Sequence, residues 1–278
     1  MAVQADPAAL ADIPHGGPAD FSLEYGKIKE EGRGEEIMRY GILSDIHANL
    51  EALTTILNYL ESQHIDKYVC AGDLVGYGPN PNECLAYMKN LSPLWISAGN
   101  HDWAVCGLKE LSWFNEYAQK SILWTRHELS QENMIFLSEL PKTFRRSDIM
   151  LVHGSPRDPL DEYLLTMEQY RENIGSLKTP LTFIGHSHVP LMFSSKGMHE
   201  FHGPETAVIP RDEEHVILNA GSVGQPRDGD NRASCAVFDS DTREFKITRH
   251  AYDISATQQK MHKARLPAFL IERLTWGK

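Results

Sequence analysis

The sequence predicts an α/β fold in which strands alternate with helices as far as residue 140 and short strands dominate afterwards. Three observations predict it. Four-residue apolar runs such as Tyr40–Leu43 and Tyr68–Ala71 are separated by segments whose apolar residues recur at helical spacing. Beyond residue 141, runs such as Phe245–Arg249 alternate apolar and polar residues, the spacing of half-exposed strands. His and Asp residues also collect just behind the apolar runs, where open α/β sheets place their binding crevices.

Residues 1–37 stand apart from the rest. They carry eight acidic and three basic residues, and Pro7, Pro14, Gly16, Gly17 and Pro18 break any periodicity. Such a segment has little apolar surface to bury and reads as a poorly ordered N-terminal extension to a body spanning 38–278. In that body Tyr40–Leu43 is the first buried strand. Asn49 caps a helix through Ser62, with Leu50, Leu53, Ile56, Leu57 and Leu60 on one face. Tyr68–Ala71 is the next strand. Pro81 opens a second helix ending near Leu91, with Pro93 beyond it. Leu94–Ser97 is a third strand.

Residues 104–140 form a helical segment rich in large aromatics, namely Trp113, Phe114, Tyr117, Trp124 and Phe136. It reads as a pair of core-facing helices, the second capped by Ser130 and stopped by Pro141. A cap over a site or a contact between protomers fits the same residues. Strands follow at 144–146, 149–153, 181–185, 191–194, 216–219, 235–239 and 244–249, and helices at 255–263 and 267–274.

Composition excludes several classes. With 41% hydrophobic and 23% charged residues the chain is an ordinary globular protein, long enough to bury a sizeable core. Formal net charge is −11, of which the first 37 residues contribute −5 and the rest −6. An acidic body lacks the basic face that long DNA or RNA requires, so no long nucleic acid is expected as partner. Nucleotide substrates remain compatible, because bound cations invert the local potential. The four cysteines show no CxxC spacing, no run of 18 apolar residues exists, and no basic start precedes an apolar stretch. Those features predict a cytoplasmic enzyme with reduced thiols, no membrane span and no secretory signal.

Five motifs carry the chemistry: Asp45-Ile46-His47, Gly72-Asp73, Gly99-Asn100-His101-Asp102, Val152-His153-Gly154 and Gly185-His186-Ser187-His188. Each alone is weak, since a lone Asp-x-His is more often a surface turn and a lone His behind a strand a cap residue. All five in one order assemble a full ligand set. Asp45 and His47, two apart, leave the same face of an extended strand end. Carboxylate and amide oxygens mixed with imidazoles, without thiolate, suit Mn, Fe, Zn or Ni. Glycines beside the ligands permit the close approaches a crowded centre needs.

These motifs resemble the calcineurin-like metallophosphoesterases from about residue 39 to residue 250. The stretches Gly41–Leu53, Ala71–Cys84 and Asn219–Asp239 look like the small prokaryotic phosphodiesterase-like branch. The resemblance implies two packed mixed β-sheets flanked by helices, an α/β/β/α sandwich. It implies two divalent transition-metal ions, one held by Asp45, His47 and His188 and the other by Asn100, His153 and His186, with Asp73 bridging. Such a pair activates a hydroxide for in-line attack on phosphorus. His101 would protonate the leaving oxygen or stabilise phosphoryl charge, and Asp102 would orient His101. Substrates of the branch range over phosphodiesters, nucleotides and phosphomonoesters. A phosphodiesterase or nucleotide hydrolase is therefore expected, with a phosphomonoesterase (protein phosphatase or dinucleoside polyphosphate hydrolase) or a non-catalytic scaffold as alternatives. Arg227, in the loop after residues 216–219, either grips a substrate phosphate or forms a salt bridge with Asp228 or Asp230.

Overall fold

The computed structural model describes residues 37–278, so all but the last residue of the expected N-terminal extension lies outside the described residues. Along the chain β1 (Arg39–Leu43), α1 (Leu50–Glu61), β2 (Lys67–Cys70), α2 (Pro81–Asn90) and β3 (Leu94–Ile96) alternate as expected. Then follow α3 (Asn100–Val105), α4 (Glu116–Glu128), α5 (Gln131–Glu139), β4 (Thr143–Arg146), β5 (Ile149–Val152), α6 (Met167–Asn173) and β6 (Leu181–Ile184). The remainder is β7 (Pro190–Ser194), β8 (Gly197–Glu200), β9 (Glu205–Val208), β10 (Val216–Ala220), β11 (Ala233–Asp239), β12 (Glu244–His250), α7 (Ile254–Lys263) and α8 (Ala268–Trp276).

The strands form two mixed six-stranded sheets, in the orders β3-β2-β1-β11-β12-β9 and β4-β5-β6-β10-β7-β8. Each has a parallel heart. β1 pairs in parallel with β2 and β2 with β3, while β6 pairs in parallel with both β5 and β10. Ile42 lies opposite Val69, and Leu151 opposite Phe183.

Alternation along these strands decides the layers. One face of each sheet meets the other sheet: Ile42, Val69, Ala71 and Phe238 from the first pack with Leu151, Phe183 and Leu218 from the second. Outer-face residues of the first sheet, Leu43, Cys70, Ile96 and Val237, pack under Leu53, Ile56 and Leu60 of α1 and under α2, α3 and α5. The outer face of the second sheet (Met150, Val152, Phe193, Ile217) is covered by Leu164, Tyr170 and Leu177 around α6. The architecture is thus helices, sheet, sheet, helices. Full burial of side chains such as Phe183 and Ile56 is worth roughly 1.5–3 kcal/mol each.

The expected caps form. Asn49 Oδ1 accepts from the Ala52 N–H at 3.2 Å, and Ser130 Oγ accepts from the Asn133 N–H at 3.2 Å. Four of these elements are additional to the expected set, among them α3, which starts at Asn100 ahead of the helical segment expected over 104–140. β8 and β9 are polar edge strands whose sequences lack apolar alternation, and α6 is announced only by its Thr166/Gln169 capping box. The aromatic segment divides: Ile122 of α4 and Leu137 of α5 face the core, Phe114 lies against His101, and Trp113 stands 74% exposed. Among the described residues no helix is long and apolar enough to cross a membrane.

Candidate metal centre

Every expected ligand follows the C-terminal end of a parallel strand: Asp45 and His47 after β1, Asp73 after β2, Asn100 after β3, His153 after β5, His186 and His188 after β6. The two sheets therefore deliver their ligands to one edge of the sandwich. The local conformation differs from the extended strand end expected for Asp45 and His47. Asp45, His47, Asp73, His186 and His188 all have φ between 49° and 66°. Non-glycine residues there cost of order 1–3 kcal/mol each and persist only where surrounding contacts fix them. Here backbone bonds do so: Asp45 N–H donates to Gly72 O, and His47 N–H to Asp73 O, each at 3.0 Å.

Two groups of ligand atoms result. Asp45, His47 and His188 form one, and Asp73, His153 and His186 the other, with the atoms of each group within 4.8 Å of one another. Asp73 lies between the groups, its Oδ2 3.5 Å from His47 Nε2 and 3.3 Å from His153 Nε2. Its Oδ1 accepts from the His101 N–H at 2.9 Å. Gly99 is glycine for this reason, since a Cβ there would collide with the Asp73 carboxylate. Asn100 opens α3 beside this contact, its Oδ1 3.1 Å from the His101 N–H. Ser44 and Ser222, to which the sequence assigns no role, steady Asp45: Ser44 Oγ donates to its Oδ2 at 2.6 Å and Ser222 Oγ to its carbonyl at 2.8 Å.

The imidazoles test whether the site suits a cation. His47 Nδ1 donates to Val75 O, His153 Nδ1 to Ala71 O, His188 Nδ1 to Gln225 O and His186 Nε2 to Asp161 O. A carbonyl only accepts, so each of these ring nitrogens carries the hydrogen and, in the neutral ring, the other nitrogen is a bare lone pair. Those lone pairs converge: His47 Nε2 is 3.2 Å from His188 Nε2, and His153 Nε2 is 3.1 Å from His186 Nδ1. Facing lone pairs repel unless a positive charge lies between them. The donor set fits divalent metal ions.

Electrostatics agree. Burial drives His47, His186 and His188 well below the ordinary imidazole range, leaving them neutral donors. Burial pushes the Asp45 carboxyl up to about 7, against the pull of the His153 charge. Burial acts on Asp73 in the same direction, but His153 and His101 outweigh it and hold its carboxylate far below the usual range. Burial alone would weaken His153 as a base; the Asp73 charge and hydrogen bond reverse this and raise it to about 9. An imidazolium beside Asp73 is the proton's version of the cation this cluster is shaped to hold.

His101 sits behind the first group, its ring 5.1 Å from that of His47, 4.3 Å from Tyr77 and 5.0 Å from Phe114. Burial lowers it to about 4. Its Nδ1 is buried without a hydrogen-bond partner. The expected role of Asp102 as its orienting carboxylate is therefore corrected. Asp102 Oδ1 accepts from the Leu74 and Val75 N–H groups at 2.9 and 3.2 Å, and Oδ2 from the Gly99 N–H at 3.0 Å. Engaged by three backbone N–H groups and with no hydrogen bond to His101, Asp102 pins the Asp73 loop to the start of α3, and His101 is oriented by packing instead. Gly76, at φ 88°, forms one wall: a Cβ there would lie 2.6 Å from His101 Nδ1. Gly76→Ala should retain its metals yet lose roughly 10²-fold in turnover through displacement of His101. Elemental analysis beside kinetics checks this; unchanged turnover in a folded variant would mean that the ring's position does not matter.

Arg227 is half-buried at the same edge, and its guanidinium lies 5.8 Å from the Tyr77 ring. Its Nη2 donates to Gln225 Oε1 at 3.0 Å, while its Nε is buried without a partner. The salt bridge considered from the sequence does not form, because Asp228 pairs with Arg249 and Asp230 with Arg232. Tyr163, 43% exposed, stacks on His186 with ring centroids 3.9 Å apart; nothing in its sequence context singled it out.

Comparison with known proteins places this arrangement. A protein of Methanocaldococcus jannaschii described as uncharacterised is 39% identical over 242 residues, covering 85% of this chain and 97% of its own. The crystal structure of a metallophosphoesterase from Sphaerobacter thermophilus is 38% identical with a TM-score of 0.79, covering 87% of this chain and all of that one. A hypothetical protein from Pyrococcus horikoshii shares the fold at 21% identity and a TM-score of 0.74, over 86% of this chain and 98% of its own. The model of the calcineurin-like phosphoesterase superfamily domain matches residues 38–243, from the first strand past the last expected ligand. This chain belongs to the calcineurin-like phosphoesterase superfamily.

Proposed function

We propose that the protein is a divalent-metal-dependent phosphoesterase that hydrolyses small phosphodiesters or nucleotides. The observation that carries this reading is the convergence of four imidazole ring nitrogens in two facing pairs, His47 with His188 beside Asp45 and His153 with His186 beside Asp73, each imidazole fixed by a backbone carbonyl. Asp45, His47 and His188 would hold one ion, His153 and His186 with Asn100 the second, and Asp73 both. Bound divalent ions would supply Lewis-acid activation of a water nucleophile and bracing of the phosphoryl oxygens.

The chain's own residues do the rest. Arg227 offers a planar donor edge to a phosphate oxygen, from a guanidinium that forms no ion pair with an Asp or Glu side chain among the described residues. His101 stands next to the Asp73 contact, where the negative charge of a bound phosphate opposes its desolvation and favours the imidazolium. In that form it holds a proton for the departing oxygen. The walls of Tyr77 and Phe114 keep bulk water from its ring.

A panel of bis- and mono-p-nitrophenyl phosphates, cyclic nucleotides and dinucleoside polyphosphates, each with Mn, Ni, Zn, Mg and Fe, tests the reading. Metal-dependent cleavage of diesters or nucleotides, abolished by chelation, is expected. Absence of turnover with any pair while metals are bound would favour a binding scaffold. Within that panel Arg227→Ala should raise KM by about tenfold, the loss of one charged hydrogen-bond pair. Unchanged KM and kcat for every substrate would remove Arg227 from the site.

A further inference from the structure

Loop 225–232 and helix α8 meet at the edge of the metal centre, and each carries an arginine, Arg227 and Arg273, within electrostatic reach of the other. Gly229 N–H donates to Gly277 O at 2.9 Å and Asn231 Nδ2 to Thr275 O at 2.8 Å, so the C-terminal end of α8 is tied to the loop that carries Arg227. Leu270, Ile271 and Leu274 of α8 pack with Tyr77, the ring over which Arg227 lies. Arg273 projects from this helix. Its Nε donates to the main-chain oxygen of Lys278 and its guanidinium lies 5.3 Å from the Phe269 ring, and among the described residues it pairs with no Asp or Glu side chain.

The contrast with its neighbours is chemical. Two other arginines here, Arg232 and Arg249, each take a carboxylate, Asp230 and Asp228 respectively. Among the described residues neither Arg227 nor Arg273 pairs with an Asp or Glu side chain, in a chain of formal net charge −11. Burial and then the charge of Arg227 hold Arg273 down to about 10, and Tyr77 and Tyr163 also lie within its electrostatic reach. Adjacent half-buried cations repel each other, and an anion between them turns that cost into binding.

We infer that Arg227 and Arg273 form a paired-guanidinium subsite in which Arg227 spans the attacked phosphate and its neighbour while Arg273 takes that neighbouring, second phosphate of the substrate. The inference rests on the proposed phosphoesterase reading for the word substrate, but the subsite itself is a binding claim. It favours nucleoside di- or polyphosphates over simple diesters, and it gives α8 the role of a specificity element.

Calorimetry on the metal-loaded full chain, with inorganic phosphate and pyrophosphate as probes, tests it. Arg273→Ala should weaken pyrophosphate by about tenfold more than phosphate, because only pyrophosphate has a group for the second position. Arg273→Lys should fall between, keeping the charge and losing the fork. In parallel the KM ratio of diadenosine tetraphosphate to bis-p-nitrophenyl phosphate should rise in both variants. Equal weakening of both probes, or none, in Arg273→Ala with wild-type melting and metal content overturns the subsite. If Arg273→Ala does not fold, wild-type pyrophosphate affinity in Arg273→Lys overturns it. Should the wild type cleave no phosphoester, the phosphoesterase reading fails, and the two-probe comparison still decides the subsite.

Discussion

Asp73→Asn is expected to remove both metals, or to leave at most one weakly bound, and to do more damage than replacement of any other ligand. The reason is position. Asp73 Oδ2 lies within 3.5 Å of His47 Nε2 on one side and 3.3 Å of His153 Nε2 on the other, while Oδ1 anchors the start of α3 through the His101 N–H. The amide of asparagine removes the negative charge that both clusters share, and its NH₂ would face bare imidazole nitrogens or the His101 N–H. Activity should fall by at least roughly 10³-fold, an added barrier of about 4 kcal/mol. Elemental analysis of the folded variant checks the cause, because two tightly held metals per chain would contradict the bridging assignment.

His101→Ala separates the leaving-group chemistry from the metal chemistry. A general acid contributes roughly 10²–10⁴-fold where the departing oxygen needs a proton. p-Nitrophenolate leaves without one; a ribose alkoxide does not. The variant should therefore keep both metals and much of its activity on p-nitrophenyl esters while losing far more on alkyl or nucleoside esters. An equal loss on both classes, with metals still bound, would assign His101 to stabilising charge on the phosphoryl oxygens. The buried Nδ1 without a partner and the walls of Tyr77, Phe114 and Gly76 suit a ring placed by packing. That is why displacement by Gly76→Ala should mimic its removal.

Much of this was legible in the sequence because buried parallel strands announce themselves. Tyr40–Leu43, Ile149–Val152 and Leu181–Ile184 are apolar on both faces, being covered by a sheet on one side and helices on the other, and each ends at a ligand. The caps at Asn49 and Ser130 were equally plain. Conformation within the ligand loops was not. Side-chain alternation suggested that Asp45 and His47 project from an extended strand end, whereas left-handed backbone at both residues aims them. The resemblance gave Asp102 to His101 as its orienting carboxylate, whereas the N–H groups of Leu74, Val75 and Gly99 that bond it come together only in the fold. The fate of Arg227 likewise depended on Arg249, 22 positions away and two strands later, reaching Asp228 first. β8, β9 and Tyr163 had no local signal, since polar edge strands and an exposed loop aromatic look like ordinary surface.

Anomalous diffraction from crystals of the full chain loaded with manganese tests the binuclear centre most directly. Two peaks are expected, one among Asp45, His47 and His188 and one among Asp73, His153 and His186, both in contact with the Asp73 carboxylate. A single peak, or two peaks of which only one touches Asp73, would contradict a centre built around that bridging carboxylate.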